Sequence, residues 1–295
     1  MKSLNLGMAS AALILATAGL AAQPASESPF SSAVTLEGSY SAASDVVAGS
    51  AVVGEVETVH SKLDWLGTWR SSESFSWLTG AKWGRFGFDA PAGALIPDDV
   101  HSIALLVGAE WKFREGWFTR LEVEPGVYTD GEDFSSDDLN APVALRLGYS
   151  PHERLTWVVA VRVDPRSDIP VIGGPGIRWK FHPDWTLNLL LPRPRIEYAI
   201  SESVTLFAGG EITGGTWRVA EDFGTRRSDT RFDNDVLDYR EIRVGVGARW
   251  KVAPGWRLTA DAGWAVDRRF TFDRERLLLN GDGAPYLQAG IVASF

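Results

Sequence analysis

The sequence contains no cysteine, which excludes disulfide bonds, thiol catalysis and thiolate metal sites. Its two methionines, Met1 and Met8, both fall within the first 22 residues. No later stretch reaches the roughly 18 consecutive apolar residues that a membrane-spanning helix needs. Basic residues are the minority, 29 against 38 acidic ones, and the net charge of −9 argues against a nucleic-acid partner. The chain therefore has neither a disulfide scaffold nor a helical membrane span.

The first residues are typical of a secretory signal peptide. The start is positive at Lys2, residues 11–18 are apolar, and Ala21 ends a small-residue cleavage site. We therefore predict a cleaved signal peptide over residues 1–22 and a single domain over residues 23–295.

Apolar residues alternate with polar or small ones along most of the remaining chain. Clear examples run over residues 103–113 and 256–266, and no segment shows a sustained helical period. The connections between these runs alternate between short turns and longer polar loops, which is the arrangement of outer-membrane barrels. The breaks predict an all-β, antiparallel up-and-down transmembrane barrel of about fourteen strands, with twelve as the alternative. The first strand covers about residues 32–43, the second about 49–63 and the last 284–295.

A seven-residue phrase that places a turn pair between two tryptophans occurs three times. The copies occupy residues 111–117, 179–185 and 250–256. Aromatic residues of membrane barrels gather where water meets lipid, so we predict that these hairpins mark one rim. The predicted membrane-interface aromatics are Trp111, Trp117, Trp179, Trp185, Trp250 and Trp256.

The polar rows of the predicted strands carry many charges. A soluble barrel of this many strands would have a large empty interior, whereas a membrane barrel turns its apolar row to lipid and its charges to a wet lumen. An open sheet in lipid would leave edge N–H and C=O groups unpaired, so closure follows. A soluble exported β-protein is the alternative. The predicted lumen-lining charges are Glu110, Lys112, Arg120, Glu122, Glu124, Arg146, Arg162, Arg178, Lys180, Arg195, Glu197, Glu241, Arg243, Arg249, Asp261 and Asp267.

The chain ends on an alternating apolar row. The row consists of Leu287, Ala289, Ile291, Ala293 and Phe295. A terminal phenylalanine on such a strand resembles the C-terminal assembly signal of bacterial outer-membrane barrels. The resemblance implies two kinds of partner, the β-barrel assembly machinery and the lipids of the outer membrane.

Motifs for catalysis or metal binding are missing from the sequence. No Gly-x-Ser-x-Gly elbow, His-Glu-x-x-His motif or glycine-rich phosphate loop is present. We therefore predict no catalytic residue, no cofactor and no metal site. Carboxylates within residues 130–138 could bind Ca²⁺ and arginines within 226–231 could meet lipopolysaccharide phosphates, but solvated, self-paired loops are the favoured interpretation.

The segment Pro192-Arg193-Pro194-Arg195 interrupts the regular order of connections. The alternation of turns and loops requires a long loop at this point, yet the connection is short. Two interpretations stay open: a low lip of the barrel where a solute or partner approaches, or a rigid corner that fixes the strand register.

A set of different short motifs lies in the C-terminal half of the chain. They occupy residues 170–173, 179–180, 183–187, 191–198, 207–211, 214–218, 238–245 and 267–270. In these motifs the chain resembles a family of uncharacterised bacterial outer-membrane β-barrel proteins, catalogued as a domain of unknown function. The resemblance implies a barrel located in the bacterial outer membrane, and it implies neither a substrate nor catalytic residues.

The leading hypothesis is a pore or passive transport path for small polar solutes, with no enzymatic activity. A structural or surface-interaction barrel with a closed lumen is one alternative, and a barrel enzyme acting on lipid or peptide is another. Because trimeric porins usually have more strands, we expect a monomer.

Overall fold

A computed structural model describes residues 28–272 and 274–295, so the predicted signal peptide lies outside the described residues. Among these residues, no helix is long and apolar enough to cross a membrane. The strands are β1 Phe30–Ala48, β2 Ala51–Arg70, β3 Phe75–Asp89, β4 Asp99–Arg114, β5 Trp117–Val123, β6 Gly126–Thr129, β7 Leu139–Asn140, β8 Val143–His152, β9 Leu155–Val163, β10 Val171–Trp179, β11 Trp185–Asn188, β12 Arg195–Ala199, β13 Val204–Arg218, β14 Val236–Ala253, β15 Trp256–Phe272, β16 Leu277–Gly281 and β17 Ala284–Ser294.

These 17 segments form one closed antiparallel barrel. β1 pairs with β2 on one side and with β16 and β17 on the other, so the first and last strands meet. Three barrel strands are interrupted once each, between β5 and β6, β7 and β8, and β16 and β17, and 17 minus 3 gives fourteen strands. The structure therefore confirms the predicted fold and decides for fourteen strands over twelve.

The first two strands are longer than the sequence predicts. β1 and β2 cover residues 30–48 and 51–70, and they are joined by a turn at residues 49–50. Register shifts interrupt their pairing between Ser41 and Ser44 and again after Val46. Because each bulge breaks the period-two pattern, the alternation stops before the strand does.

Connections of two kinds lie on opposite rims of the barrel. The turn rim carries residues 71–74, 115–116, 153–154, 180–184, 200–203 and 254–255 together with the C-terminus. The loop rim carries residues 90–98, 130–138, 164–170, 189–194 and 219–235. In outer-membrane barrels the short turns face the periplasm and the longer loops face outward.

Large apolar side chains cover the outer face of the sheet. On β4, Ile103 and Leu105 are each 61% exposed, whereas the alternating residues Ala104 and Leu106 face inward and are buried. A closed barrel with such side chains on its outer face is suited to a lipid environment and would be insoluble in water. The protein is therefore a β-barrel of the bacterial outer membrane.

The hydrophobic core lies inside the barrel at its loop rim, and we call it the outer plug. Phe88 of β3 contacts Phe270 of β15 with ring centroids 5.1 Å apart, so aromatic side chains meet across the lumen. Loops 90–98 and 219–235 fold inward to complete the packing. The outer plug consists of Val46, Val56, Phe86, Phe88, Ile96, Val100, Trp217, Val219, Ala220, Phe223, Phe232, Leu237, Tyr239, Phe270, Phe272 and Leu279.

The assignment of lipid and lumen faces predicts that an introduced arginine lowers the stability of the barrel much more on the lipid face than on the lumen face. Val246 on β14 is 64% exposed on the lipid face, whereas Thr259 on β15 faces the lumen opposite Arg249. We expect Val246→Arg to destabilise the folded barrel by about 2–4 kcal/mol, as for a cation near the bilayer midplane, and Thr259→Arg, which adds a charge opposite Arg249, to cost less than about 1 kcal/mol. Urea titration in lipid vesicles, followed by heat-modifiable gel mobility, measures both. Equal losses of stability would contradict the assignment.

Candidate functional site

A buried ion network lies directly below the outer plug. Arg243 and Arg268 both contact the Glu241 carboxylate, at 2.5 Å and 3.4 Å, and all three side chains are at most 1% exposed. The hydroxyls of Tyr239 and Ser41 donate to the same carboxylate, at 2.6 Å and 2.7 Å. Buried charges are tolerated only when they are paired and hydrogen-bonded, and this network meets both conditions.

A β-bulge decides which residues of β15 enter this network. The register shifts between Ile242 and Arg243 of β14, so Glu241 pairs with Arg268 and Ile242 pairs with Asp267. Directly paired residues point to the same face of a sheet. The prediction that Asp267 lines the lumen is therefore wrong, and Arg268 lies there instead. Strict alternation from Trp256 misses this change because the bulge inserts one extra residue.

Arg193 bridges the lumen at the level below the network. Its guanidinium contacts Glu37 of β1 on the facing wall and Glu211 of β13, the latter at 2.7 Å. Gln288 donates to the second oxygen of Glu211 at 3.1 Å and accepts from Arg243 at 2.7 Å. The bridge is thus continuous with the buried ion network, and together they constrict the lumen. The sequence singled out the Arg193 segment but not its two carboxylate partners, which come from distant strands.

Residues 189–194 place Arg193 there because the connection turns inward. Leu190 and Leu191 pack against the lumen-facing side chains of Val158 and Ala160, together with Phe118 and Ile172. The connection therefore forms neither a long surface loop nor a simple hairpin corner. It inserts two apolar side chains and one arginine into the barrel.

Charges on the opposite side of the lumen form ion-paired ladders. Glu124 contacts Lys82 at 2.5 Å and Arg162 at 3.2 Å. Glu122 contacts Arg120 at 2.6 Å and Arg146 at 2.7 Å, and Arg120 also approaches Glu110 at 3.8 Å. Each carboxylate thus neutralises two cations, as expected for structural pairing.

The lumen nearer the turn rim is different, because several charges there lack a partner. The side chains of Arg178, Arg257 and Asp261 form no hydrogen bond or ion pair with any other residue that the structure describes. Arg195 lies over the Phe207 ring at 4.3 Å, and only Arg249 has an ionic partner, Glu197, at 3.0 Å. These side chains are half-buried and face the lumen.

The remaining sequence-predicted site residues lie near the turn rim. Lys112 is exposed at the end of β4, and Lys180 lies one residue beyond β10, in a turn. Trp117 is half-buried and stacks on Tyr149, with centroids 4.7 Å apart. The other five interface tryptophans are 37–52% exposed on the outer face, namely Trp111, Trp179, Trp185, Trp250 and Trp256.

The C-terminal row lies on β17, which closes the barrel. Leu287 pairs with Tyr40 of β1, and Ile291 pairs with Leu36. Leu287 and Phe295 are 64% and 69% exposed on the outer face. The row therefore faces lipid at the seam between the first and last strands.

The loops at the loop rim are joined to one another by hydrogen bonds. Arg227 donates to the carbonyl oxygens of Ala94 and Ile96, at 2.8 Å and 3.2 Å, and so joins loop 219–235 to loop 90–98. The Ala220 N–H donates to Asp130 at 2.8 Å. Burial raises the pKa of the Asp130 carboxyl above its ordinary value, although this hydrogen bond opposes the shift.

Charged residues of these loops mostly pair with one another. Arg218 contacts Asp133 at 2.7 Å and Asp138 at 3.1 Å, and Arg226 contacts Glu132 at 3.1 Å. In the part of the chain that is described, no group of three or more acidic, histidine or cysteine side chains could hold a metal ion. Loop 130–138 thus fixes the position of loop 219–235.

The chain was compared with proteins of known structure and of curated function. No curated protein matches it. An outer-membrane channel from Pseudomonas putida F1 is 13% identical, with a TM-score of 0.48 over 92% of this chain and 97% of that chain. A deltaS2 mutant of the TodX monoaromatic hydrocarbon channel is 8% identical, with a TM-score of 0.47 over 91% and 90%. The NanC porin is 10% identical, with a TM-score of 0.44 over 88% and 98%.

Identities and TM-scores this low assign no substrate to the chain. A family model gives a firmer result, since it matches residues 68–279 and so reaches well upstream of the motifs in the C-terminal half. The resemblance predicted from those motifs is confirmed: the chain belongs to the family described as a domain of unknown function, DUF6268.

Proposed function

We propose that this protein is a passive transport barrel for small polar solutes. The observation that carries the proposal is the set of unpaired charges in the lumen near the turn rim, Arg178, Arg257 and Asp261. A barrel that used its charges only for rigidity would neutralise them, as the ladders around Glu122 and Glu124 do. Unpaired half-buried charges require water, so this part of the lumen is wet and able to hold a polar solute.

The outer plug sets the condition for axial transport. Its side chains are at most 4% exposed, so the part of the mouth that β1–β4, β6 and β13–β16 enclose is closed. Loop 219–235 supplies Phe223 and Phe232 to the plug and is held by Arg227. A polar solute crosses this part of the mouth only when the loop leaves it.

A barrel with a permanently closed lumen is the second candidate, and the outer plug is the observation that favours it. An enzymatic role has less support. The four histidines lie at separate places: His60 stacks on Phe86 inside the barrel at 4.1 Å, His101 lies on β4, and the others lie at turns. None of the ion pairs described above joins a histidine to a nucleophile.

The proposal includes two features of assembly. We infer that the barrel works as a monomer, since the ring closes within one chain and encloses its own lumen. We also infer that the row from Leu287 to Phe295 is read by the assembly machinery, since it lies on the strand that closes the ring.

Removal of the loop that fills the mouth tests the transport proposal. Residues 221–234 are replaced by two glycines, which keeps β13 and β14 joined because Val219 and Asp235 already share a hydrogen bond at 2.9 Å. We expect the single-channel conductance in planar bilayers to rise at least about ten-fold over the intact protein. Arg231→Ala, on the same loop but with an exposed side chain, is the control. A folded deletion variant that conducts no better would support the permanently closed barrel.

The excess of cations near the turn rim predicts anion selectivity. Arg178, Arg195, Arg249 and Arg257 face Glu197 and Asp261 there, so positive charge predominates although the whole chain is acidic. In the loop-deleted background, the reversal potential under a KCl gradient should indicate chloride preference. The double change Arg178→Gln and Arg257→Gln should move the reversal potential toward zero, and Arg276→Gln, which is exposed between β15 and β16 at the loop rim, should not. Cation preference in the background variant would refute the prediction.

A further inference from the structure

The barrel wall is incomplete between β10 and β13. β10 pairs with β9 over its whole length, from Val171 to Trp179, but with β11 only at Arg178 and Trp179. β13 pairs with β12 only as far as Gly209 and meets its next strand partner on that side at Arg218. Among the described residues, residues 189–194 alone lie between these two edges, and they turn into the lumen.

Only the lower part of the gap is bridged by hydrogen bonds. Leu189 donates to the carbonyl of Ile177 at 2.7 Å, and the carbonyls of Pro194 and Pro192 accept from Gly210 and Ile212. Beyond these contacts, both strand edges lack a strand partner for several residues. At the top, loop 164–170 crosses over, since the Ser167 hydroxyl donates to Asp238 at 2.8 Å.

A proline lies at an edge position where a backbone donor would otherwise be unpaired. Pro175 belongs to the same alternate set as Ile177, whose carbonyl points into the gap. A proline removes the N–H and so lowers the number of unsatisfied groups on an open edge. The edge is thus adapted to stay open rather than to accept another strand.

The gap lies at the depth of the membrane. Gly174 is five residues above the interface residue Trp179, which corresponds to roughly 12 Å along a tilted strand. Val171, further up, is still 60% exposed on the outer face. Irregular backbone at this depth is tolerated only where it is covered by protein or borders a water-filled cavity. The gap therefore borders the lumen at the depth of the lipid leaflet on the loop side.

The lumen wall beside the gap is apolar. Phe118, Ile172, Leu190 and Leu191 pack around Val158 and Ala160 there. Arg178 faces the lumen immediately below, two residues along β10 from Gly176, which Leu190 covers. An apolar patch with one unpaired guanidinium at its lower edge matches a molecule with an apolar chain and one anionic head group.

We propose that this gap is a lateral entrance through which a single-chain anionic amphiphile passes between the membrane and the lumen. Its chain lies along the apolar patch, and its head group binds Arg178. This route avoids the outer plug, because the plug fills only the part of the mouth enclosed by β1–β4, β6 and β13–β16. The proposal is independent of axial conduction: a lateral route can operate while the mouth stays closed.

Cysteine labelling tests the opening, since the natural chain has no cysteine. Gly174→Cys is suitable because a Cβ at this lumen-facing position meets no atom within 4 Å. In vesicles, we expect N-dodecylmaleimide to modify Gly174→Cys at a rate within about three-fold of Val159→Cys, a lipid-facing control, because lipid reaches both. Thr259→Cys, which faces the lumen behind a continuous wall, should react at least about ten-fold more slowly. A Gly174→Cys rate equal to that of Thr259→Cys overturns the lateral entrance.

Photo-crosslinking tests the ligand class. The probes are dodecanoate with a terminal diazirine and the matching uncharged dodecanol, added to the protein in vesicles. We expect the carboxylate to crosslink to peptides containing Phe118, Ile172 or Leu190, and Arg178→Gln to lower this yield about ten-fold, as for one charge-assisted hydrogen bond. The alcohol should be insensitive to the change, and Arg257→Gln should affect neither probe. Crosslinks confined to the lipid-facing belt, or an unchanged yield in Arg178→Gln, overturn the proposed ligand.

Discussion

The structure depends above all on the pairing of backbone N–H and C=O groups in a solvent that cannot hydrogen-bond to them. Fourteen antiparallel strands meet this requirement by closing on themselves, with β1 joined to β17. Closure also explains the alternation of side chains, because one face of each strand must then meet lipid and the other the lumen. The gap between β10 and β13 is the exception. Pro175 at its edge and the hydrogen bonds of residues 189–194 at its base reduce the number of groups left unpaired.

The same low-polarity surroundings govern the charges inside the barrel. Where the lumen is filled, below the outer plug, each charge has partners, and Glu241 alone is contacted by two arginines and two hydroxyls. Nearer the turn rim, the half-buried Arg178 and Arg257 side chains face the lumen without an ion pair among the described residues, and in the proposed transport barrel water fills this part. The distribution of paired and unpaired charges thus divides the barrel into a sealed outer part and a wet inner part. Arg193 lies at the boundary and connects both walls through Glu37 and Glu211.

A sealed mouth and an interrupted wall are related features. β13 leaves the wall to meet β6 at Thr129, which encloses the plug in a smaller ring and separates β13 from β10. Gly214, with a φ of 133°, lies four residues before this contact and adopts a backbone conformation that other residues rarely take. The inward course of β13 therefore closes the barrel axially and opens it laterally.

Local patterns in the sequence determined the class of fold, the lipid-facing rows and the rim marked by tryptophans, because period-two alternation and turn chemistry depend only on near neighbours. Fourteen strands and the family resemblance also followed from such patterns. The same reasoning failed at β-bulges, which break the period of two. One bulge made the predicted end of β1 too early, and another places Arg268 rather than Asp267 in the lumen. The outer plug, the partners of Arg193 and the gap beside β10 were decided by the tertiary structure alone. Each joins residues far apart in the chain, and no local pattern records which strands a closed barrel brings face to face.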